Sequence, residues 1–469
     1  MKKYILIILC CLTSFPLWSY NVNMIVEHYS VDQGLPNNTV NCTLKDRDGF
    51  IWFGTWYGLC CFDGVKFKTF NKQEHDSDVP PRKIQRIVED KNGYIWVKTI
   101  DRKLYVFNKV TECFHAVYDD MKNYSENIQV IKLQNTAEGD VLLLTKDKNL
   151  LLAGVDEKGQ VTIKILFDSR DEINKHDYTL KHHVLCETEE YISWIGTDYK
   201  VSAVHKGAEL ASRPADFITS KINSGDKDSF TSFFEDGRKV WVGDRAGIFY
   251  SIDVRTGLVN RYVLSEIKGA ISNLLVTPAG YVYLSVAGQG TYEYDLAERR
   301  LQKINTEMND AMVTHAFIDQ YDKIWFHENE KALIYYDPLN HTAKRFPFTM
   351  FGKITTLYSE DAGERGLFFL SPAGEAWLFD REHVEMVYIN KLKQLSNDRA
   401  NQQFYHLMLD NDGVLWLSSA DEGVYCMNFP KKQFNLLSLS PQSAGRENYA
   451  TGVRALFQSK SGDIWVGTR

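Results

Sequence analysis

The sequence predicts an all-β fold, a seven-bladed β-propeller followed by the incomplete start of a second propeller. The first observation behind this is a segment that recurs at a nearly constant interval. Anchored on Trp52, it returns at Trp96, Trp194, Trp241, Trp325, Trp416 and Trp465, and weaker copies at Leu143, Tyr283 and Phe368 keep every interval between 42 and 51 residues. The second observation is the content of each copy. Short runs of β-branched and aromatic residues are closed by Asp-Gly or Gly-rich turns, which suits radially repeated four-stranded sheets and not helical repeats.

The first copy shows the grammar in full. Val40 to Leu44 reads as a strand, and Asp46-Arg47-Asp48-Gly49 as a tight turn whose Gly tolerates positive φ. Phe50 to Gly54 is the second strand, Thr55-Trp56-Tyr57-Gly58 turns the chain, Leu59 to Phe62 is the third, and Asp63-Gly64 leads into Phe67 to Phe70. Ahead of it, Tyr29-Ser30-Val31 can form an extra strand that completes the last blade of the ring by hydrogen bonding. Counting anchors from Trp52 to Trp325 makes seven blades and places the first propeller at residues 21–345. Residues 346–469 then hold the first blades of a second, truncated propeller, ending directly after Asp463-Ile464-Trp465-Val466-Gly467-Thr468. The alternative is that the nine or ten blades close differently, for example as an eight-bladed ring with irregular ends. Residues Glu385 to Gln403 are the most helix-compatible stretch and read as a loop insertion between blades.

Residues 1–20 read as a signal peptide: Lys2 and Lys3 precede an apolar run from Ile5 to Trp18, and Ser19 or Tyr20 offers a cleavage point. Lipid attachment at Cys11 and an uncleaved anchor are the alternatives. Six cysteines follow, Cys42, Cys60, Cys61, Cys113, Cys186 and Cys426, without framework spacing or a CxxC pattern. They read as buried thiols on strands, and neighbours Cys60 and Cys61 point to opposite faces, so at most one could meet Cys42. A formal charge of −7 argues against non-specific nucleic-acid binding.

No catalytic constellation stands out. His182-His183 and His205 have no metal-ligand spacing around them, and no Walker loop, dinucleotide fingerprint, HExxH or GxSxG is present. No metal, cofactor or catalytic residue is expected, although a carboxylate pair assembled between blades would be invisible in one dimension.

Leu35-Pro36-Asn37-Asn38-Thr39-Val40, then Asp48 to Thr55 and Gly58-Leu59 to Asp63-Gly64, resemble the opening of the regulator-propeller sensors of hybrid two-component systems. Val453-Arg454-Ala455-Leu456 before Gly462 to Thr468 is similar to an inner repeat of the same family. The resemblance implies a periplasmic, non-enzymatic sensor of polysaccharide breakdown products. In the family, paired propellers signal as a homodimer through a membrane helix to a histidine kinase, which these 469 residues do not contain. A secreted propeller lyase or glycosidase is the first alternative, and a scaffold whose propeller binds another protein is the second.

In a meandering blade, the turns after the anchor strands emerge on one face together with the connections between blades, and propellers commonly bind there. Trp56, Tyr57, Arg102, Tyr199, Lys200, Arg245 and His327 are the ligand-binding candidates on that face. Asp101, Asp198, Asp244, Gln289, Glu328 and Asn329 stand beside them. Aromatic rings suit stacking on sugars, and the cations Arg102, Lys200 and Arg245 favour an acidic one. The Trp anchors themselves are expected to be packing between blades.

Overall fold

A computed structural model describes residues 25–468, except 71–79, 123–128, 168–179, 197–200, 208–214, 217–229, 305–312, 352–357, 362–365, 372–374, 392–403, 429–452, 460–463 and single positions 148, 189 and 330. The expected signal peptide lies outside these residues. Five strands open the chain: β1 (Ile25–Tyr29), β2 (Val40–Lys45), β3 (Ile51–Thr55), β4 (Gly58–Phe62) and β5 (Phe67–Phe70). Strands β2 to β5 form an antiparallel meander in that order, with Leu44 opposite Trp52.

Eight further four-stranded sheets repeat the pattern. Their inner strands are Ile84–Glu89, Val130–Asn135, Leu180–Glu187, Phe230–Glu235, Ile271–Val276, Val313–Ile318, Tyr358–Asp361 and Phe404–Leu409. Each blade packs on the next in chain order, and the ninth returns onto the first. The architecture is therefore an all-β propeller.

Its closure differs from the expectation. β1 does complete the last blade, but that blade is the ninth: Ile25 to Tyr29 pair antiparallel with Asn428 to Val424. The chain divides into one unit up to Asn428 and a second from Phe429, in place of the expected division after residue 345. The physical reason is that blade ninth by count supplies three strands of its own and needs a fourth, which β1 provides; Tyr29 packs there on Phe62, Phe67 and Trp416. In the second unit Val453–Gln458 pairs with Ile464–Thr468, and Trp465 is 67% exposed because a two-stranded sheet gives its indole little cover. Within the expected loop insertion, Glu385–Lys391 is the outer strand of the eighth blade.

Five of the tryptophan anchors are core, as expected; Trp465 is not, and the side chain of Trp194 lies outside the described set. Trp52, Trp96, Trp241, Trp325 and Trp416 are at most 5% exposed. Each faces the following blade: Trp52 meets Phe107, Trp325 meets Phe379, and Trp416 meets Phe62. The indole N–H needs a partner in this apolar setting, and an aspartate in the preceding turn supplies it. Asp46, Asp90, Asp236, Asp319 and Asp410 accept from those five indoles at 2.8, 2.9, 2.7, 3.3 and 3.1 Å. The other carboxylate oxygen ties down the turn; in Asp90 it accepts from the backbone N–H of Asn92 (2.9 Å) and Tyr94 (3.0 Å).

Register corrects two anchors. Leu142, not Leu143, stands opposite Gln134 at the place of Trp52, and Ser193, not Trp194, stands opposite Cys186. Blades three, four and six, which have Leu142, Ser193 and Tyr283 there, carry Thr136, Thr188 and Thr277 in place of the turn aspartate. Without an indole N–H, a second carboxylate oxygen would be left buried and unpaired, and a single hydroxyl suffices. Asp90→Ala is accordingly expected to cost about 3 kcal/mol, because it strands one indole and two backbone donors; urea denaturation of the variant measures it.

Gly54 is required by proximity, since a Cβ there would lie 2.4 Å from Cys42 Sγ and 2.6 Å from Ile84 Cγ2. Three of the cysteines fit the buried-thiol reading, whereas Cys61 and Cys113 are only partly buried. Cys42, Cys60 and Cys426 are buried and free, and desolvation pushes all three thiols up to about 12. Cys42 packs toward the second blade while Cys60 packs toward the ninth, so this pair is held apart by the sheet between them. The side chain of Cys186 lies outside the described set.

Candidate ligand-binding face

The turns after the anchor strands do share one face with the blade connections. A repeated backbone bond shows it: the first turn residue donates to the residue just before its own inner strand, Trp56 to Thr39, Ile100 to Lys83, Lys146 to Gln129 and Ala287 to Ala270, at 2.8–3.2 Å. The same turns brace the next blade, with Lys83 donating to the Trp56 carbonyl at 3.0 Å and Val130 to that of Arg102 at 2.9 Å.

The expected site residues fare differently. Trp56 and Tyr57 are exposed, 42% and 57%, and the Lys83 ammonium lies 5.2 Å from the centre of the Trp56 ring. Their turn is held by Thr55, whose hydroxyl donates to the Gly58 carbonyl (2.8 Å) and accepts from Tyr57 N–H (3.1 Å). Arg245 is exposed beside Asp244, which is buried and accepts from Ala246 (2.9 Å) and Ile248 (2.8 Å). Burial raises the Asp244 carboxyl above its ordinary range. Tyr199 and Lys200 lie outside the described residues. His327 stands within the strand Ile324–Glu328 and not in a turn. Its Nδ1 shares a 2.9 Å hydrogen bond with the Thr314 hydroxyl, its ring lies 5.0 Å from Phe348, and burial, then His315, lowers its pKa. Glu328 is buried and engaged by Arg345 at 3.0 Å.

Arg102 is the candidate that enters a concavity. A cavity of about 270 Å³ lies where the second blade meets the third, with Leu104, Tyr105, Val117 and Met121 as its apolar floor and Tyr118 and Arg102 at its edge. Tyr118 begins a single helical turn, Tyr118–Met121, and is 55% exposed with Lys122 5.0 Å from its ring centre. Neither Tyr118 nor Met121 was legible as a site residue, because the strand-and-turn pattern of the repeat does not mark the segment after the outer strand.

Charge at this rim is uneven. Asp101 is already engaged by the Thr99 hydroxyl and, at 3.5 Å, by Lys103. Partial burial alone would raise its pKa, but these contacts hold it below the usual carboxylate value. Arg102 makes no ion pair or side-chain hydrogen bond among the described residues, and its φ of 67° is in the left-handed region. The fifth and sixth blades place Gly247 (φ 83°) and Gly288 (φ 72°) in the corresponding turns. An arginine kept in strained backbone leaves a planar, bidentate donor free at the mouth of an apolar pocket.

At the blade ends opposite this face, Asp46, Asp48 and Glu89 converge as a metal-like trio, but the Lys109 ammonium sits among them at 3.1, 2.6 and 2.8 Å. The trio is a lysine socket. Among the described residues, no helix is long and apolar enough to cross a membrane.

Residues 34–57, the first repeat with its Asp46–Trp52 pair, match the family described as two component regulator propeller. No curated protein sequence matches the chain. Among solved structures, the chain is similar to the extracellular domain assigned to a one component system of B. thetaiotaomicron. That likeness has 14% identity, covers 84% of this chain and 65% of that one, and has a TM-score of 0.37. It is also similar to the extracellular domain assigned to a hybrid two component system of the same organism, at 16% identity, 95% and 64% coverage and TM-score 0.34. The Dos1 propeller aligns at 12% identity over 86% of this chain and 93% of its own, with TM-score 0.45. The chain thus spans about 65% of the length of the first two structures.

Proposed function

We propose that this chain is the ligand-sensing portion of a hybrid two-component regulator, exported to the periplasm and without catalytic activity of its own. Its ligand is an oligosaccharide fragment bearing a carboxylate, and the intact receptor is a homodimer that passes binding to a histidine kinase outside these residues. The observation that carries the reading is the cavity at Arg102. An aromatic and aliphatic floor suits the C–H face of a sugar ring, and the uncommitted guanidinium suits its carboxylate. The match at residues 34–57 supports the regulator class.

Calorimetric titration of the purified chain with neutral and uronic-acid disaccharides tests this. Acidic members are expected to bind and neutral ones to bind more weakly; no binding by any member overturns the reading. Arg102→Gly separates strain from recognition. It is expected to keep or raise thermal stability, by up to about 1 kcal/mol, because glycine relieves the left-handed backbone. Affinity for the acidic disaccharide should fall at least tenfold.

A further inference from the structure

The inner strands around the first two blades carry a group of side chains that the turn face does not use. They line a cavity of about 530 Å³ formed by the inner strands of the ninth, first, second and third blades. Arg86 lies on this wall, exposed, and makes no ion pair or side-chain hydrogen bond among the described residues. Its register partner on the neighbouring strand is another cation, Lys98, which is 7% exposed and donates to Gln85 Oε1 (2.9 Å) and the Ile131 carbonyl (2.5 Å). No carboxylate pairs with either among the described residues. Like charges directly opposite each other weaken a sheet, so this pairing has a cost that a bound anion would offset. Burial first, then Arg102 and Arg86, lower the Lys98 pKa to about 8, as expected for crowded positive charge.

Two buried polar atoms on the same wall are also unmatched. Thr43 is 5% exposed and its Oγ1 has no hydrogen-bond partner; the same holds for the buried Nδ1 of His406. Both residues line the cavity. The one carboxylate in the lining, Glu89, is already engaged by Lys109 (2.8 Å) and by the Arg47 backbone N–H (2.9 Å) and guanidinium (3.3 Å). A free guanidinium, a buried hydroxyl and an imidazole nitrogen, all lacking partners and without an opposing free carboxylate, form a donor set for an oxyanion.

We propose that this inner-strand cavity is a second binding site, for a small molecule bearing a carboxylate or sulfate, held by the Arg86 guanidinium with the Thr43 hydroxyl and His406 Nδ1. Its volume admits a molecule of up to about disaccharide size. The proposal goes beyond the turn-face reading and does not depend on it, since Arg86 and Arg102 belong to different cavities.

The test is calorimetric titration of the full chain with inorganic sulfate, sodium glucuronate and glucose, at one ionic strength kept constant with chloride. In the Arg102→Gly background, which removes the turn-face guanidinium, sulfate or glucuronate is expected to bind in a manner that Arg86→Gln weakens at least tenfold and Thr43→Val several-fold. Tighter binding of glucuronate assigns a sugar acid, and equal or tighter binding of sulfate assigns the bare oxyanion. The proposal is overturned if neither anion binds, if Arg86→Gln binds like the parent, or if glucose competes equally. Should Arg86→Gln misfold by circular dichroism, Thr43→Val, which preserves shape, decides by the same criterion.

Discussion

A chain ending at Asn428 is expected to unfold as cooperatively as the full-length protein, whereas one ending at residue 345 is expected to lack a sharp thermal transition and to aggregate. The second truncation removes the eighth and ninth blades and with them the partner of β1, which pairs with Val424–Asn428. On one side Phe53, Phe62 and Leu35 lose their packing against Trp416 and Val424. On the other, Trp325 and Tyr335 lose Phe346, Phe369, Trp377 and Phe379. Five large side chains newly facing water, at roughly 2 kcal/mol each, total about 10 kcal/mol. That is comparable with the whole stability of a typical domain. The strand Ile25–Tyr29, left without its partner, would also become a template for intermolecular pairing. Differential scanning calorimetry and light scattering on the two truncations give the answer, and a single sharp transition for residues 21–345 would restore the seven-blade closure.

The second large effect is expected from Lys109→Met, at about 3–5 kcal/mol near neutral pH. Lys109 is 18% exposed among Asp46 (0%), Glu89 (10%) and the more open Asp48. Removing the cation leaves the buried Asp46 without a counter-charge and Glu89 with only the Arg47 guanidinium at 3.3 Å, which is the costly way to break a buried ion pair. Burial by itself would lower the Lys109 pKa, yet hydrogen bonds to Asp48, Glu89 and Asp46 hold it well above the ordinary lysine value. A raised lysine pKa contributes stability that is complete below about pH 10 and lost only above it, so the contribution is fully present at neutral pH. Asp48 is shifted the other way, downward, by its hydrogen bond from Lys109. Its contribution is present above about pH 4 and disappears as pH falls through the lowered value. The variant's deficit is therefore expected to narrow below about pH 4, as Asp48 protonates. Urea denaturation at pH 7 and pH 3.5 measures both numbers, and Lys109→Arg should recover most of the loss. An equal deficit at the two pH values would mean that packing of the lysine stem, and not charge, is what matters.

Several misreadings of the sequence have one cause, the period of two along a strand. Laying the third and fourth repeats on Trp52 by apolar similarity chose Leu143 and Trp194, one residue too far along, and a slip of one turns a side chain to the opposite face. The correct alignment was legible all along in the turns. Asp46, Asp90, Asp319 and Asp410 each precede their Trp by six residues, and Thr136 and Thr277 stand in the equivalent place before Leu142 and Tyr283. Turn chemistry carries register, because the capping side chain must meet particular backbone N–H groups, whereas one apolar residue resembles the next.

The candidate face was legible to the extent that it follows from connectivity. Alternating strands put every second turn on one side, and Trp56, Tyr57, Arg102 and Arg245 are in such turns. Which of them borders a cavity was not, because that depended on Tyr118–Met121, a helical turn after the second blade's outer strand that the strand pattern does not mark. His327 was misjudged because a strand ran further than its apolar pattern indicated, leaving the imidazole beside Thr314 and Phe348. The inner-strand group of Thr43, Arg86 and His406 had no signature at all, since its members come from three blades more than 300 residues apart at the extremes.

By itself, the sequence determined that this protein is built of repeated four-stranded β meanders, that Trp52, Trp96, Trp241, Trp325 and Trp416 pack between them, and that its turns alternate between two faces. These are local consequences of side-chain alternation and turn chemistry, complete within about 45 residues. Only the tertiary structure decided how many blades lie in one closed unit and which charged side chains meet. Closure depends on whether β1 finds its partner at Val424–Asn428, a pairing across some 400 residues whose free energy comes from burying the last blade against the first, and no local pattern encodes it.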